Sequence, residues 1–354
     1  MSVNAIRSIL KSQTDAVLIS SEINRRYYTS FPASDGYLVV TKDKAVLFAD
    51  SRYIEAASLQ AQGCETALLT RFSESVGAFL AAEGITRVLC ERDRMTVSEL
   101  AAFKKALPGI SFSASAAADI KTDELRAVKT AAEVEEIKKA QRIAEAAFDH
   151  ILGFIKPGVT EREIGLELDF YMLSHGAEAL SFETIAVTGA KSSMPHGVPG
   201  DVKVKKGDFI TMDYGAVVNG YHSDMTRTVA VGKVSAEQKK VYNTVLEAQL
   251  SSLASLKAGF SCKKADAAAR DIIANAGYGD YFGHSTGHGV GVEIHEKPNL
   301  SPRSEGTLKV GNVVTVEPGI YLPGKFGVRI EDMALITETG CENLTKSPKE
   351  LIIL

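Results

Sequence analysis

Tryptophan is absent from this 354-residue chain, cysteine occurs only four times, and neither sign of charge dominates. Cys64, Cys90, Cys262 and Cys341 are scattered, with no close Cys–Cys or Cys–His spacing, which gives a thiolate metal site little support and leaves reduced, mostly buried thiols as the expectation. The net charge of -4, with basic residues dispersed, gives no phosphate-binding stripe, so no nucleic-acid partner is expected. No apolar run approaches the roughly 18 residues that span a bilayer, and the first residues lack a signal-peptide core. No membrane association and a cytoplasmic location are therefore expected. Low-complexity tracts and obvious internal repeats are missing too.

What is present is apolar content of 45%, ample for a sizeable core, in a length that suits two domains better than one. Ala16–Ser20, Gly36–Val40, Ala45–Ala49 and Thr86–Cys90 read as strands between helical stretches at 53–62 and 96–106, which is an α/β pattern. Periodicity fades over Ala114–Lys121, and the domain boundary is placed just after it, near residues 120–130: residues 1–125, then 126–354. Thr130-Ala-Ala-Glu133 is a capping box opening a long helix with Val134, Ile137, Ala144, Phe148 and Ile151 on its apolar side. That helix stops at Pro157-Gly158. Thr160–Glu163 caps a second ending near Gly176, Ser235–Gln238 a third running to about Gly259, and a fourth covers roughly 262–276. Helices followed by β-rich segments predict an α+β domain, an antiparallel sheet backed by helices.

The β-rich segments carry the chemistry. The runs Gly207–Val218 and Tyr221–Val231 alternate in polarity and are joined by Asn219-Gly220, the signature of a hairpin with a two-residue turn. If Val218 pairs with Tyr221, the register sum is 218 + 221 = 439, and Asp213 falls opposite Thr226. Asp224 is then two residues from Thr226 on the same face, a diagonal neighbour of Asp213 at roughly 7–8 Å. Two such carboxylates repel unless cations lie between them.

A second pair follows at Glu317 and Glu331, separated by a Pro-Gly turn, and period two places Arg329 on the face of Glu331. Arg329 is there to orient that carboxylate or to hold an anionic part of a substrate. His288 lies in a glycine-rich stretch that does not open a helix after a strand, so strand glycines permitting close approach fit better than a dinucleotide loop. Imidazole beside hard oxygen donors suits Mn, Co, Fe or Zn rather than calcium. A lone Asp in a strand is ordinarily an exposed polar position; Asp213, Asp224, His288, Glu317 and Glu331 together read as a metal site. His295 is seven residues beyond His288, which requires the chain to bend between them.

The segments Met212–Ala216, Ser223–Thr228, Gly287–Gly291, Ile294–Glu296, Val316–Tyr321 and Val328–Asp332 resemble, in order, those of the pita-bread fold metallopeptidases: methionine aminopeptidase, aminopeptidase P, prolidase and the non-metal creatinase. The resemblance is strong over the C-terminal two-thirds and looser over the first 120 residues, which match the creatinase-like N-terminal domain. It implies two divalent metal ions, Mn²⁺ foremost and Co²⁺, Zn²⁺ or Fe²⁺ otherwise, held by Asp213, Asp224, His288, Glu317 and Glu331. It also implies a catalytic role for His295 and His196, a substrate-side role for His196 and His284, and a homodimer.

The activity so implied is hydrolysis of the bond preceding proline in Xaa-Pro dipeptides or short peptides, by hydroxide held between the metals. Glu317 would carry the proton, while His295 and His196 would stabilise the oxyanion. The alternative is an aminopeptidase P acting on longer Xaa-Pro peptides; a metal-free creatinase-like hydrolase or an inactive peptide-binding module stands further off. A dipeptidase must hold a free carboxylate near the metals, and Arg329 or a histidine is the cation at hand.

Overall fold

The computed structural model describes residues 3–354, and the chain divides into two compact units at Leu125/Arg126. In the first, strands β1 (Asp15–Ile19), β2 (Tyr37–Val40), β3 (Ala45–Ala49), β4 (Glu65–Leu68), β5 (Arg87–Glu91) and β6 (Ser111–Ser115) form one sheet in the order β4-β3-β2-β1-β5-β6. β1–β2 and β2–β3 pair antiparallel and the other ladders are parallel. The connections include helices α1 (Glu22–Thr29), α2 (Ile54–Gln60), α3 (Phe72–Ala82) and α4 (Val97–Ala106). β1 and β3 are buried along their whole length, as strands covered on both faces must be. Where the sequence loses its apolar rhythm, the structure instead has the end of β6 and the start of α5 (Ala116–Ala127). Ser and Ala carry too little hydrophobic contrast to display either period.

The second unit opens with α6 (Ala131–Phe154) and α7 (Glu161–Ser174), both begun by the expected capping boxes, each worth about 1 kcal/mol. The five apolar positions expected on α6 are all buried. β7 (Ala179–Leu180), β8 (Ile185–Thr188), β9 (Phe209–Tyr214), β10 (Ala216–Val218), β11 (Tyr221–His222) and β12 (Met225–Ala230) follow. Then the order repeats: α8 (Ala236–Ser255) and α9 (Cys262–Asn275) precede β13 (Gly287–Gly289), β14 (Glu296–Leu300), β15 (Val313–Val316), β16 (Gly319–Leu322), β17 (Phe326–Arg329), β18 (Asp332–Ile336) and β19 (Cys341–Asn343). Every ladder between these strands is antiparallel, in the orders β11-β10-β7, β12-β9-β8, β14-β13-β15-β18-β19 and β16-β17.

Helices back the strands. α6 and α7 bury Phe148, Ile151, Ile164 and Leu168 with Ile210, Met212 and Val229 of β9 and β12, while α8 and α9 bury Val241, Val245 and Ile273 with Ile320 and Val328. At roughly 25 cal/mol per Å² of apolar surface removed from water, such cores fix the strands rigidly enough to aim side chains between them.

The central hairpin has the expected register: Val218 pairs with Tyr221 and Asp213 with Thr226. Asn219 and Gly220 both have positive φ, 49° and 80°, as a type I′ turn requires. The ladder is interrupted at Gly215, where a Cβ would lie 1.9 Å from the carbonyl oxygen of Ser223. This close approach bends the ribbon where Asp224 follows, so only glycine is admitted there.

Candidate metal centre

Five positions in or beside the strands meet at one cavity. Asp213 is the penultimate residue of β9, Asp224 occupies the bend before β12, His288 is the centre of β13, Glu317 follows β15, and Glu331 lies between β17 and β18. These five, together with His196, His284, His295 and Arg329, line a single cavity of about 940 Å³ within the second unit. Segments more than 100 residues apart in the chain converge there, and Thr226 shows how: its hydroxyl donates to Oε2 of Glu331 at 2.8 Å and accepts from Nε of Arg329 at 3.0 Å.

Arg329 and Glu331 therefore do share a face, since both reach the same hydroxyl. Arg329 orients a carboxylate, but that of Asp213 and not the expected Glu331, which it reaches only through the Thr226 hydroxyl: Nη2 donates to Oδ2 of Asp213, and Nη1 to the Tyr321 hydroxyl at 2.8 Å and Pro195 O at 3.3 Å. Thr315 plays the matching part on the other side, donating to Oε1 of Glu317 at 3.1 Å and accepting from His288 N at 3.1 Å. Nδ1 of His288 donates to Gly289 O at 3.1 Å, since a carbonyl can only accept, and this turns Nε2 toward the carboxylates. That Nε2 lies 3.3 Å from Glu317 Oε1 and 3.6 Å from Asp224 Oδ2.

The electrostatics are those of like charges confined together. Asp224 and Glu331 are held well above the ordinary carboxylate pKa, first by burial and then by neighbouring carboxylates. Burial also raises Asp213, against the pull of Arg329. Burial would raise Glu317 as well, but its hydrogen bond and attraction to His288 outweigh it and bring it down to about 2. His288 shows the reciprocal effect: burial lowers its pKa, and Glu317 more than reverses that.

Divalent cations are the groups that would relieve this repulsion, and the donors fit them. Oδ1 of Asp213 and Oε1 of Glu331 are buried with no hydrogen-bond partner among the described residues. Buried carboxylate oxygens without donors are expensive, and a cation satisfies them. Asp224, His288 and Glu331 each offer one ligand atom, all within 4.8 Å of one another. Carboxylate oxygens with one imidazole suit Mn²⁺, Fe²⁺, Co²⁺ or Zn²⁺ by donor chemistry.

The other histidines surround this cage. The chain bends after β13, and the rings of His288 and His295 meet edge-to-face, centroids 4.4 Å apart. Partial burial and the neighbouring His288 lower the His295 pKa. The next residue anchors it: buried Glu296 accepts from Nε of Arg126 and Nζ of Lys129, both at 3.1 Å. His196 is solvent-exposed on the loop after Ser193, a loop tied to β17 by Gly327 N donating to Ser192 Oγ at 2.8 Å. His284 has both ring nitrogens engaged, Nδ1 donating to Ser285 O at 2.8 Å and Nε2 facing the Tyr321 hydroxyl at 2.9 Å. His150 and His175 are exposed on α6 and just past the end of α7, while His222 lies in β11.

Thr226, Thr315, Tyr321 and Glu296 are absent from the sequence-derived set. The two threonines were within its reach: the hairpin register puts Thr226 opposite Asp213, and period two puts Thr315 on the face of Glu317. Tyr321 and Glu296 carry no such local signal.

Residues 135–338 match metallopeptidase family M24, and residues 3–128 match the creatinase/prolidase N-terminal domain. The chain is 46% identical over 345 residues to an uncharacterised peptidase of Bacillus subtilis, covering 96% of each. Among solved structures it is similar to a Xaa-Pro dipeptidase from Bacillus anthracis, with a TM-score of 0.94, 45% identity and 99% and 98% of the two chains covered. It is also similar to an X-Pro aminopeptidase from Thermotoga maritima, with a TM-score of 0.91, 36% identity and coverage of 96% and 98%. No helix among the described residues is long and apolar enough to cross a membrane. An N-terminal α/β unit, an α+β unit whose strand ends gather four carboxylates and a histidine, and these matches lead to one conclusion: the chain belongs to metallopeptidase family M24, the pita-bread enzymes, and is a metallopeptidase.

Proposed function

We propose that the chain hydrolyses the peptide bond preceding proline in short peptides, with two divalent cations, Mn²⁺ foremost, held by Asp213, Asp224, His288, Glu317 and Glu331. The observation that carries this reading is the convergence of those five side chains on one cavity, with two buried carboxylate oxygens left unsatisfied. The similarity over nearly the whole chain to a Xaa-Pro dipeptidase and an X-Pro aminopeptidase supports the substrate class. When bound, the cations supply Lewis acidity, polarising a carbonyl and lowering the pKa of water.

The protein's own groups do the rest. Arg329 and Thr226 hold Asp213 and Glu331 in place, and Thr315 holds Glu317 and His288, so the cage does not reorganise during reaction. Proline's nitrogen is a tertiary amide without N–H and must gain a proton to leave; Glu317 accepts one from the attacking water and delivers it there. His295 and His196 donate to the carbonyl oxygen as negative charge develops on it. His284, locked by Tyr321 and Ser285, forms the wall beside them. A homodimer belongs to the same reading.

Turnover of Ala-Pro-Ala against Ala-Ala-Ala by protein stripped and reloaded with Mn²⁺, Co²⁺ or Zn²⁺ tests it. Selective, metal-dependent release of alanine from the proline peptide is expected. Equal turnover of both peptides, or activity indifferent to metal, contradicts it.

A further inference from the structure

Arg329 is the only arginine or lysine among the described residues that line the cavity, and it is already spent. Its guanidinium donates to Thr226, Tyr321, Pro195 O and Asp213, and its side chain is only 4% exposed. The histidines offer no substitute: His284 is engaged at both nitrogens, His288 faces the carboxylates, and His196 and His295 are those placed at the reacting carbonyl. Apart from Arg329 and these histidines, the ionisable side chains on the cavity wall outside the cage are acidic. Asp169, half-buried on α7, accepts from the Thr184 hydroxyl, and Glu183 is exposed in the loop before β8.

This arrangement bears on the length of the substrate. In a Xaa-Pro dipeptide the free carboxylate is attached to the proline Cα, only about 4 Å from the scissile carbonyl carbon, and must enter the cavity with it. A carboxylate stripped of water with no free arginine or lysine to meet it is strongly disfavoured, since the charge of two divalent cations would already be offset by the four carboxylates of the cage, and negative neighbours make it worse. In a longer peptide the same atoms form a neutral amide, and the charge moves outward by roughly 3.3–3.6 Å per residue. The cavity, at about 940 Å³, stands near the top of the roughly 300–1,000 Å³ common for small-molecule pockets and has room for the added residue.

We propose that this cavity selects peptides of three or more residues over Xaa-Pro dipeptides, and that Asp169 and Glu183 favour a cationic residue over an anionic one after the proline. The inference rests on the Xaa-Pro reading above. Its test is kcat/KM of the full-length, Mn²⁺-loaded protein on Ala-Pro, Ala-Pro-amide, Ala-Pro-Ala, Ala-Pro-Lys and Ala-Pro-Glu. Ala-Pro is expected at least about tenfold below Ala-Pro-Ala, the amide recovering most of the difference because only its charge has changed. Ala-Pro-Lys is expected to exceed Ala-Pro-Glu by several-fold, with the gap shrinking at high salt and in Glu183→Gln, an exposed position where the change leaves folding intact. Ala-Pro equal to or better than Ala-Pro-Ala overturns the length preference, as does an amide no better than the acid. A Lys/Glu ratio near one, or one unmoved by Glu183→Gln, overturns the charge preference. Failure to cleave any proline peptide, with alanine peptides still cleaved, removes the Xaa-Pro reading itself, an outcome distinct from a dipeptide preference.

Discussion

The hydroxyl of Thr226 donates to Oε2 of Glu331 at 2.8 Å across 105 residues of sequence. That bond leaves the other oxygen of Glu331 to the cavity and, through the same hydroxyl, positions Arg329 on Asp213. Thr226→Val keeps the shape and removes both hydrogen bonds. Groups that orient metal ligands are worth roughly 10–100-fold in affinity or activity. Mn²⁺ affinity measured by calorimetry should fall by about that factor, with Thr226→Ser restoring it. Unchanged affinity in the valine variant would show that Glu331 does not need this support.

The cage also predicts how chelation and pH combine. Asp224 and Glu331 are raised well above the usual carboxylate pKa, first by burial and then by neighbouring carboxylates. His288 is raised too, since Glu317 outweighs burial. Groups whose folded pKa exceeds the unfolded one stabilise the fold fully below the unfolded pKa, about 4 for the carboxylates and about 6.5 for histidine. They lose that contribution as pH climbs through the folded value. With EDTA, Tm should therefore decline from pH 5 to pH 8. With Mn²⁺ the decline should vanish, because the cation favours the deprotonated ligands. Scanning calorimetry in both buffers checks this, and parallel curves would count against a cation among these side chains.

Arg227 raises a separate, structural prediction. Buried to 1% side-chain exposure, it donates to Asp332 at 2.8 Å and to the carbonyls of Ser347 and Pro348 at 2.8 and 2.9 Å. Burial pushes the Asp332 pKa up, but Arg227 and Lys349 overcome it and hold the group below its usual range. Arg227→Met leaves that carboxylate buried with one cation fewer. Removing one partner of a buried pair costs about 3–5 kcal/mol, and with Lys349 remaining the lower figure applies. Urea denaturation measures it; a loss below about 1 kcal/mol would mean Lys349 alone suffices.

Much of this was legible in the chain because the informative signals are local. Asn219-Gly220 dictated a turn type, the turn fixed the register, and the register placed Asp213 opposite Thr226. Capping boxes marked the start of α6, α7 and α8 for the same reason: the cap and its partner are three residues apart. The expected bend between His288 and His295 is present as well. β4, α3, β6 and α5 were passed over, their short or Ala- and Ser-rich stretches having weak periodicity. The antiparallel strands fall into several ladders because close approaches such as Gly215 against Ser223 break the pairing, and nothing in a window of ten residues announces such a break. Arg329 had two possible tasks in the sequence; the fold places Asp213 and Tyr321 against it, a pairing that no local spacing announces.

The most direct test of the account is metal stoichiometry measured together with activity. Protein dialysed against EDTA and then titrated with Mn²⁺ should bind two ions per chain by elemental analysis. Ala-Pro-Ala hydrolysis should appear as those sites fill, and both binding and turnover should collapse in Asp224→Asn and His288→Ala. Full hydrolysis by metal-stripped protein, or a chain that binds no Mn²⁺ with all five side chains intact, would contradict it.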